Sequence, residues 1–65
     1  MIIIRTWTGE VWTADDHEQA KQMVRDEAAR IIDDDFFDHL IWMGDRAVIW
    51  REGEPTGHWW DLEVA

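Results

Sequence analysis

The chain begins with a β-branched and aromatic run from Ile2 to Trp7, and the same character returns over Glu10–Thr13 after Thr8-Gly9. A short Gly-containing spacer between two such runs predicts a β-hairpin. Next, Ala20, Met23, Val24, Ala28, Ile31 and Ile32 recur at steps of three and four, which predicts an amphipathic helix over 15–32. Thr13-Ala14-Asp15-Asp16 fits a capping box, with Thr13 or Asp15 as the N-cap and carboxylates at the positive helix pole. Asp26 and Arg30 are spaced for an i,i+4 ion pair. Asp33-Asp34-Asp35 ends the helix, because Asp is a poor helix former and opposes the negative C-terminal pole.

Beyond that acid run, His39–Met43 and Arg46–Glu52 flank Gly44-Asp45 and predict a second hairpin. Gly53–Gly57 contains the chain's one Pro and is expected to be a loop. Trp60, Leu62 and Val64 then alternate with Trp59, Asp61 and Glu63 as in a half-buried strand. The expected fold class is α+β in the order ββαβββ: one antiparallel sheet with a single helix packed on one face. Residues 1–65 are expected to form one small domain. Ile3, Arg5 and Trp7 share one side of the first strand and Ile2, Ile4 and Thr6 the other, so apolar groups on both sides place that strand centrally. One helix leaves the second sheet face exposed, polar or covered by a partner. Tryptophans on that face either extend the small core, with indole N–H groups at the water boundary, or anchor an interface.

Composition sharpens this picture. Six Trp and a 46% apolar content exclude a disordered acidic tail. Cys is absent, so neither disulfides nor thiolate metal sites are expected. Three Ile followed by Arg5 fall short of a signal or membrane segment, and a cytoplasmic location is expected. Charge matters most: fifteen Asp and Glu against six Lys and Arg give −9. Self-repulsion on that scale subtracts from the stability of a small domain. It exceeds what dispersion in water requires. It also disfavours direct binding of nucleic acid or acidic membranes and favours a basic cleft.

The acids concentrate between Asp15 and Asp38, where only Lys21, Arg25 and Arg30 oppose them. Asp15, Asp26 and Asp33 fall on one helical stripe, roughly 16 and 10 Å apart, with Glu18 beside it. Asp34, Asp35 and Asp38 add a knot at its end, and Glu52, Glu54 and Asp45 supply acids from hairpin tips. The expected partner-binding set is Glu18, Asp26, Asp33, Asp34, Asp35, Asp38, Glu52 and Glu54. A solvated polar face is the alternative for the same residues. No metal is expected, since a loop counted from Asp33 has Asp38 and Gly44 where an EF-hand needs Gly and Glu. His17, His39 and His58 lack zinc-site spacing. Cys, Ser and Tyr are absent, and although an acid–base pair such as Glu54 with His58 is conceivable, one sheet with one helix offers little depth for a pocket, so no enzyme and no cofactor are expected.

Small size, acidity and the absence of Cys resemble the phage-encoded anti-CRISPR proteins. Gln19-Ala20-Lys21 in the helix, and Val48-Ile49-Trp50-Arg51-Glu52 through Trp59-Trp60-Asp61, are similar to a basic ββαβββ inhibitor of type I-F complexes. The charge sign differs, so a Lys-based grip does not carry over. In acidity the chain is instead similar to DNA-mimicking members, including small inhibitors of type I-C complexes. That resemblance implies a monomer occupying the basic site where a Cascade-type effector, through its large subunit, reads the motif flanking its target. The alternative from another class is a protein-interaction module or antitoxin that docks through a Trp-rich sheet face.

Overall fold

A computed structural model describes residues 1–36 and 38–65, the side chain of Asp34 excepted. Its elements are β1 (Ile2–Thr6), β2 (Val11–Ala14), α1 (His17–Ile31), a 3₁₀ turn (Asp34–Phe36), β3 (His39–Met43), β4 (Arg46–Arg51) and β5 (Glu54–Val64). The five strands form one antiparallel sheet in the order β2-β1-β5-β4-β3, so the ββαβββ fold is as expected. β1 is interior, as its two apolar sides suggest, yet the middle position belongs to β5.

Local chemistry explains where each element starts and stops. The first hairpin turns over three residues, not two: Gly9 N–H donates to Thr6 O and Thr6 N–H to Glu10 O, with Gly9 at φ +87°. Trp7 therefore sits in the turn. The helix starts later than the capping box suggests, because Asp16 is the N-cap and its carboxylate accepts from Gln19 N–H at 2.8 Å. Gln19 reaches back to accept from Asp15 N–H at 2.6 Å, a reciprocal arrangement displaced from Thr13. Arg30 pairs with Glu27 at 3.8 Å, while Asp26 accepts from Gln22 instead of Arg30.

The largest departure from expectation is Gly53–Gly57, of which Glu54–Gly57 belong to β5. Glu52 and Gly53 both take positive φ, 52° and 79°, the signature of a tight two-residue hairpin turn. Glu54 then pairs with Arg51, and Pro55 with Trp50. Pro55 is tolerated because β1 reaches only to Trp60 in its register with β5, so this end of β5 has a free edge. A bulge follows: Val48 faces Trp59 while Trp50 faces Pro55, and Gly57 adopts φ +89° between them. Thr56 Oγ1 donates to Ile49 O at 2.9 Å across the interrupted ladder. At the other end of the sheet, Ala65 N–H donates to Met1 O at 3.0 Å.

The helix covers one sheet face through Ala20, Val24 and Ala28, all buried, onto Ile2, Ile4, Ala14, Ala47, Ile49, Trp60 and Leu62. Small side chains at Ala20 and Ala28 let helix and sheet approach closely. Trp12 and Trp42 close the core's sides, and Lys21 lies over the Trp42 ring at 5.2 Å. Trp60 is fully buried at the centre. Its indole N–H, like that of Trp50, is buried with no acceptor among the described residues; for Trp50, on the face away from α1, this departs from the expected place at the water boundary. Asp16→Ala should destabilise the protein by about 1 kcal/mol, and Thr13→Ala should stay within about 0.5 kcal/mol. Urea unfolding of the two variants measures this difference.

Candidate functional site: an acidic pole around Arg51

Antiparallel topology brings the C-terminal end of α1, the start of β3 and the β4–β5 turn to the same end of the molecule. Ile32 leaves helical geometry at φ −59°, ψ 129°. The following acid run folds back on itself: Phe36 N–H donates to Asp33 O, Asp35 N–H to Asp33 Oδ1, and Asp33 N–H to Asp38 Oδ2. Arg51, projecting from the end of β4, closes the assembly. Its Nε and Nη2 donate to Asp38 Oδ1 and Oδ2 at 2.8 and 3.0 Å, and its guanidinium lies 4.4 Å from the Phe36 ring centre. A forked Arg–carboxylate pair is among the stronger side-chain hydrogen bonds.

This geometry sets the electrostatics. The Arg51 hydrogen bonds, followed by the Asp33 N–H, hold the Asp38 carboxyl at about 2, against the opposing effect of burial. Arg51 is pushed above its ordinary range, first by its bond to Asp38, with Asp33 and Glu52 adding further negative charge nearby. A cleft of about 510 Å³ opens beside the pair, lined by Ile31, Asp38, Arg51, Glu52, Glu54, Pro55, Thr56 and His58. His58 Nδ1 lies 2.9 Å from Thr56 Oγ1, and the ring meets Trp7 edge-on at 4.5 Å.

The expected binding residues thus separate into groups. Asp33, Asp35, Asp38, Glu52 and Glu54 come to one pole. Within it, Asp38 is buried and bound to Arg51, a correction to its place among exposed acids: it builds the pole rather than facing a partner. Asp33 is half-buried and caps the 3₁₀ turn. Asp35, Glu52 and Glu54 are exposed, and none has an ion-pair partner among the described residues. The Asp34 side chain lies outside the described residues. Asp26 is exposed in mid-helix, and Glu18 lies in the first turn, about 20 Å along the helix from the pole. The stripe from Asp15 to Asp33 is not a helical row, because both end residues lie outside α1.

Arg51 had no assigned role in the sequence reading. Its signal is local, since Arg51 is the one cation between Trp50 and the Glu52/Glu54 pair. The remaining arginines on the sheet are also engaged. Arg46 is forked onto Asp61 at 2.7 and 3.0 Å and lies over Trp59, and Arg5 pairs with Glu63 at 3.2 Å. Among the described residues, no group of His, Asp and Glu is placed to hold a metal ion. None of the described helices is long and apolar enough to cross a membrane. Compared with known proteins, the chain matches no family model, no curated protein and no solved structure.

Because the folded pKa of Asp38 lies below its unfolded value, its pairing stabilises the fold above about pH 4. That contribution fades as pH falls through about 2. Asp38→Asn should therefore lower Tm at pH 7 by on the order of 5 °C. The gap between variant and wild type should narrow from about pH 4 downward, as followed by circular dichroism melts.

Proposed function

We propose that this protein is a non-catalytic inhibitor that presents its acidic pole to a Lys- and Arg-lined, nucleic-acid-binding site on a bacterial defence effector. One observation carries the reading: carboxylates from two separated segments, Asp33 and Asp35 and then Glu52 and Glu54, gather at the negative end of α1. Acids there are unfavourable for the helix. Solubility alone gives no reason to concentrate them at that pole. Arg51 offsets only part of the charge, and it is committed to Asp38.

The cleft suits a cationic guest. Ile31 and Pro55 offer apolar wall to the aliphatic stem of a Lys or Arg, and Glu52 and Glu54 in the same lining offer carboxylates to its charged head. Each such contact would be a charge-assisted hydrogen bond. Attraction between the −9 chain and a basic groove speeds encounter, and salt weakens it because the Debye length is about 8 Å at physiological ionic strength. The resemblance to anti-CRISPR proteins supplies the finer identity. In that reading the protein works in the bacterial cytoplasm and blocks the motif-reading site on the large subunit of a Cascade-type complex.

The test is target-DNA binding by purified type I Cascade complexes, followed by mobility shift. Wild-type protein should suppress binding, and 0.5 M NaCl should dissolve the inhibited complex. Asp35→Asn combined with Glu52→Gln and Glu54→Gln should weaken inhibition at least about tenfold, largely through slower association. Equal inhibition by the triple variant would remove the acidic pole from the mechanism, and absence of suppression by the wild type would sink the anti-CRISPR assignment.

A further inference from the structure

The sheet face turned away from α1 has a character opposite to the acidic pole. Its registered positions place Val11, Arg5, Asp61, Arg46 and Met43 in one row across all five strands. The next row holds Trp59, Val48 and Ile41. Val11, Ile41 and Met43 are 56%, 42% and 49% exposed, which is high for apolar side chains, and they lie on the two edge strands of this face, β2 and β3. The charged groups among them are paired within the face, Arg5 to Glu63 and Arg46 to Asp61. This face therefore carries no net charge on a chain of −9.

We infer that the open sheet face is a self-association surface, on which a second copy of this chain packs sheet against sheet. Three features select a second copy. Two chains of −9 repel wherever their unpaired acids meet, and on this face Asp61 and Glu63 each have an arginine counter-ion. A basic partner gains nothing here, because both carboxylates are already neutralised by Arg5 and Arg46. The row also alternates Arg5, Asp61, Arg46, so a two-fold related copy displaced by one strand sets an arginine against an aspartate, as an isologous contact requires. The size is adequate for a weak dimer. The molecule measures 35 × 20 Å along its two longer axes. That outline, roughly 700 Å², is an upper bound on what the face can cover and falls below the value of about 800 Å² per partner for a standard interface.

The inference is independent of the acidic pole, which lies at the end of the sheet and stays accessible in such a dimer. Sedimentation equilibrium over about 10 μM to 1 mM is the test, a range set by the small footprint. The average mass should rise from 7.8 kDa toward twice that value. Added NaCl should strengthen association by screening the residual repulsion, opposite to its effect on a complex made through the acids. Val11→Lys on β2 or Ile41→Lys on β3, whichever edge the displaced copy covers, should shift the dimer constant at least tenfold toward monomer while far-UV circular dichroism is unchanged. Should a lysine variant unfold, Val11→Thr and Ile41→Thr give the same comparison with smaller shifts. Asp35→Asn with Glu52→Gln, which removes two of the repelling charges, should not weaken association. A monomer at about 1 mM in 0.5 M NaCl would overturn the inference, as would a dimer insensitive to substitution at both Val11 and Ile41.

Discussion

A single fifteen-residue helix lies against five strands, and that mismatch governs how this small chain is organised. A domain near 60 residues buries only about 60% of its unfolded surface, so both sheet faces must contribute. The tryptophans divide accordingly. Trp12, Trp42 and Trp60 fill the layer beneath α1, whereas Trp59 and Trp50 thicken the opposite face and Trp7 caps the first turn against His58. On the uncovered side, Arg46 lies over Trp59 while forking onto Asp61, so one cation both shields an indole and neutralises a carboxylate. The open face is held together by paired charges laid over aromatic and aliphatic side chains.

The acidic pole follows a different logic. Placing carboxylates after the last helical turn sets them against the helix dipole, and the 33–38 segment answers with its own backbone N–H groups and with Arg51. Asp38 is consumed by that repair. What is left outward, Asp35, Glu52 and Glu54, is charge that the fold itself does not use. Electrostatic cost and functional availability thus reside on different residues of the same cluster.

Much of the fold was legible because side-chain periodicity alone decides it. Ala20, Val24 and Ala28 announce the buried helix face, and Trp60 and Leu62 the core side of the last strand, although its place in the middle of the sheet, where β1 was expected, is set by pairing order. The β4–β5 segment was not. Pro55 reads as a loop breaker, and only the pairing order of the sheet reveals that it sits where β5 has no second neighbour. The helix cap lies at Asp16, past both Thr13 and Asp15, because Gln19 supplies the reciprocal bond to Asp15 N–H, which residue spacing alone does not reveal. At the candidate site, the gathering of Glu52 and Glu54 with the acid run depends on antiparallel topology, which residue spacing does not encode. Burial of Asp38 depends on a partner thirteen residues away. The apolar character of the exposed face was present in the unbroken Leu40-Ile41-Trp42-Met43 run, which shows no polar alternation at the sheet's edge.

The meeting of Ala65 with Met1 has a practical corollary. Both termini leave from one corner, at the opposite end of the strands from the Arg51 assembly. A fluorophore, affinity handle or surface tether attached at either terminus would therefore hold the molecule with its carboxylates pointing outward into solution. The same proximity would let a short linker close the backbone into a ring without disturbing any strand.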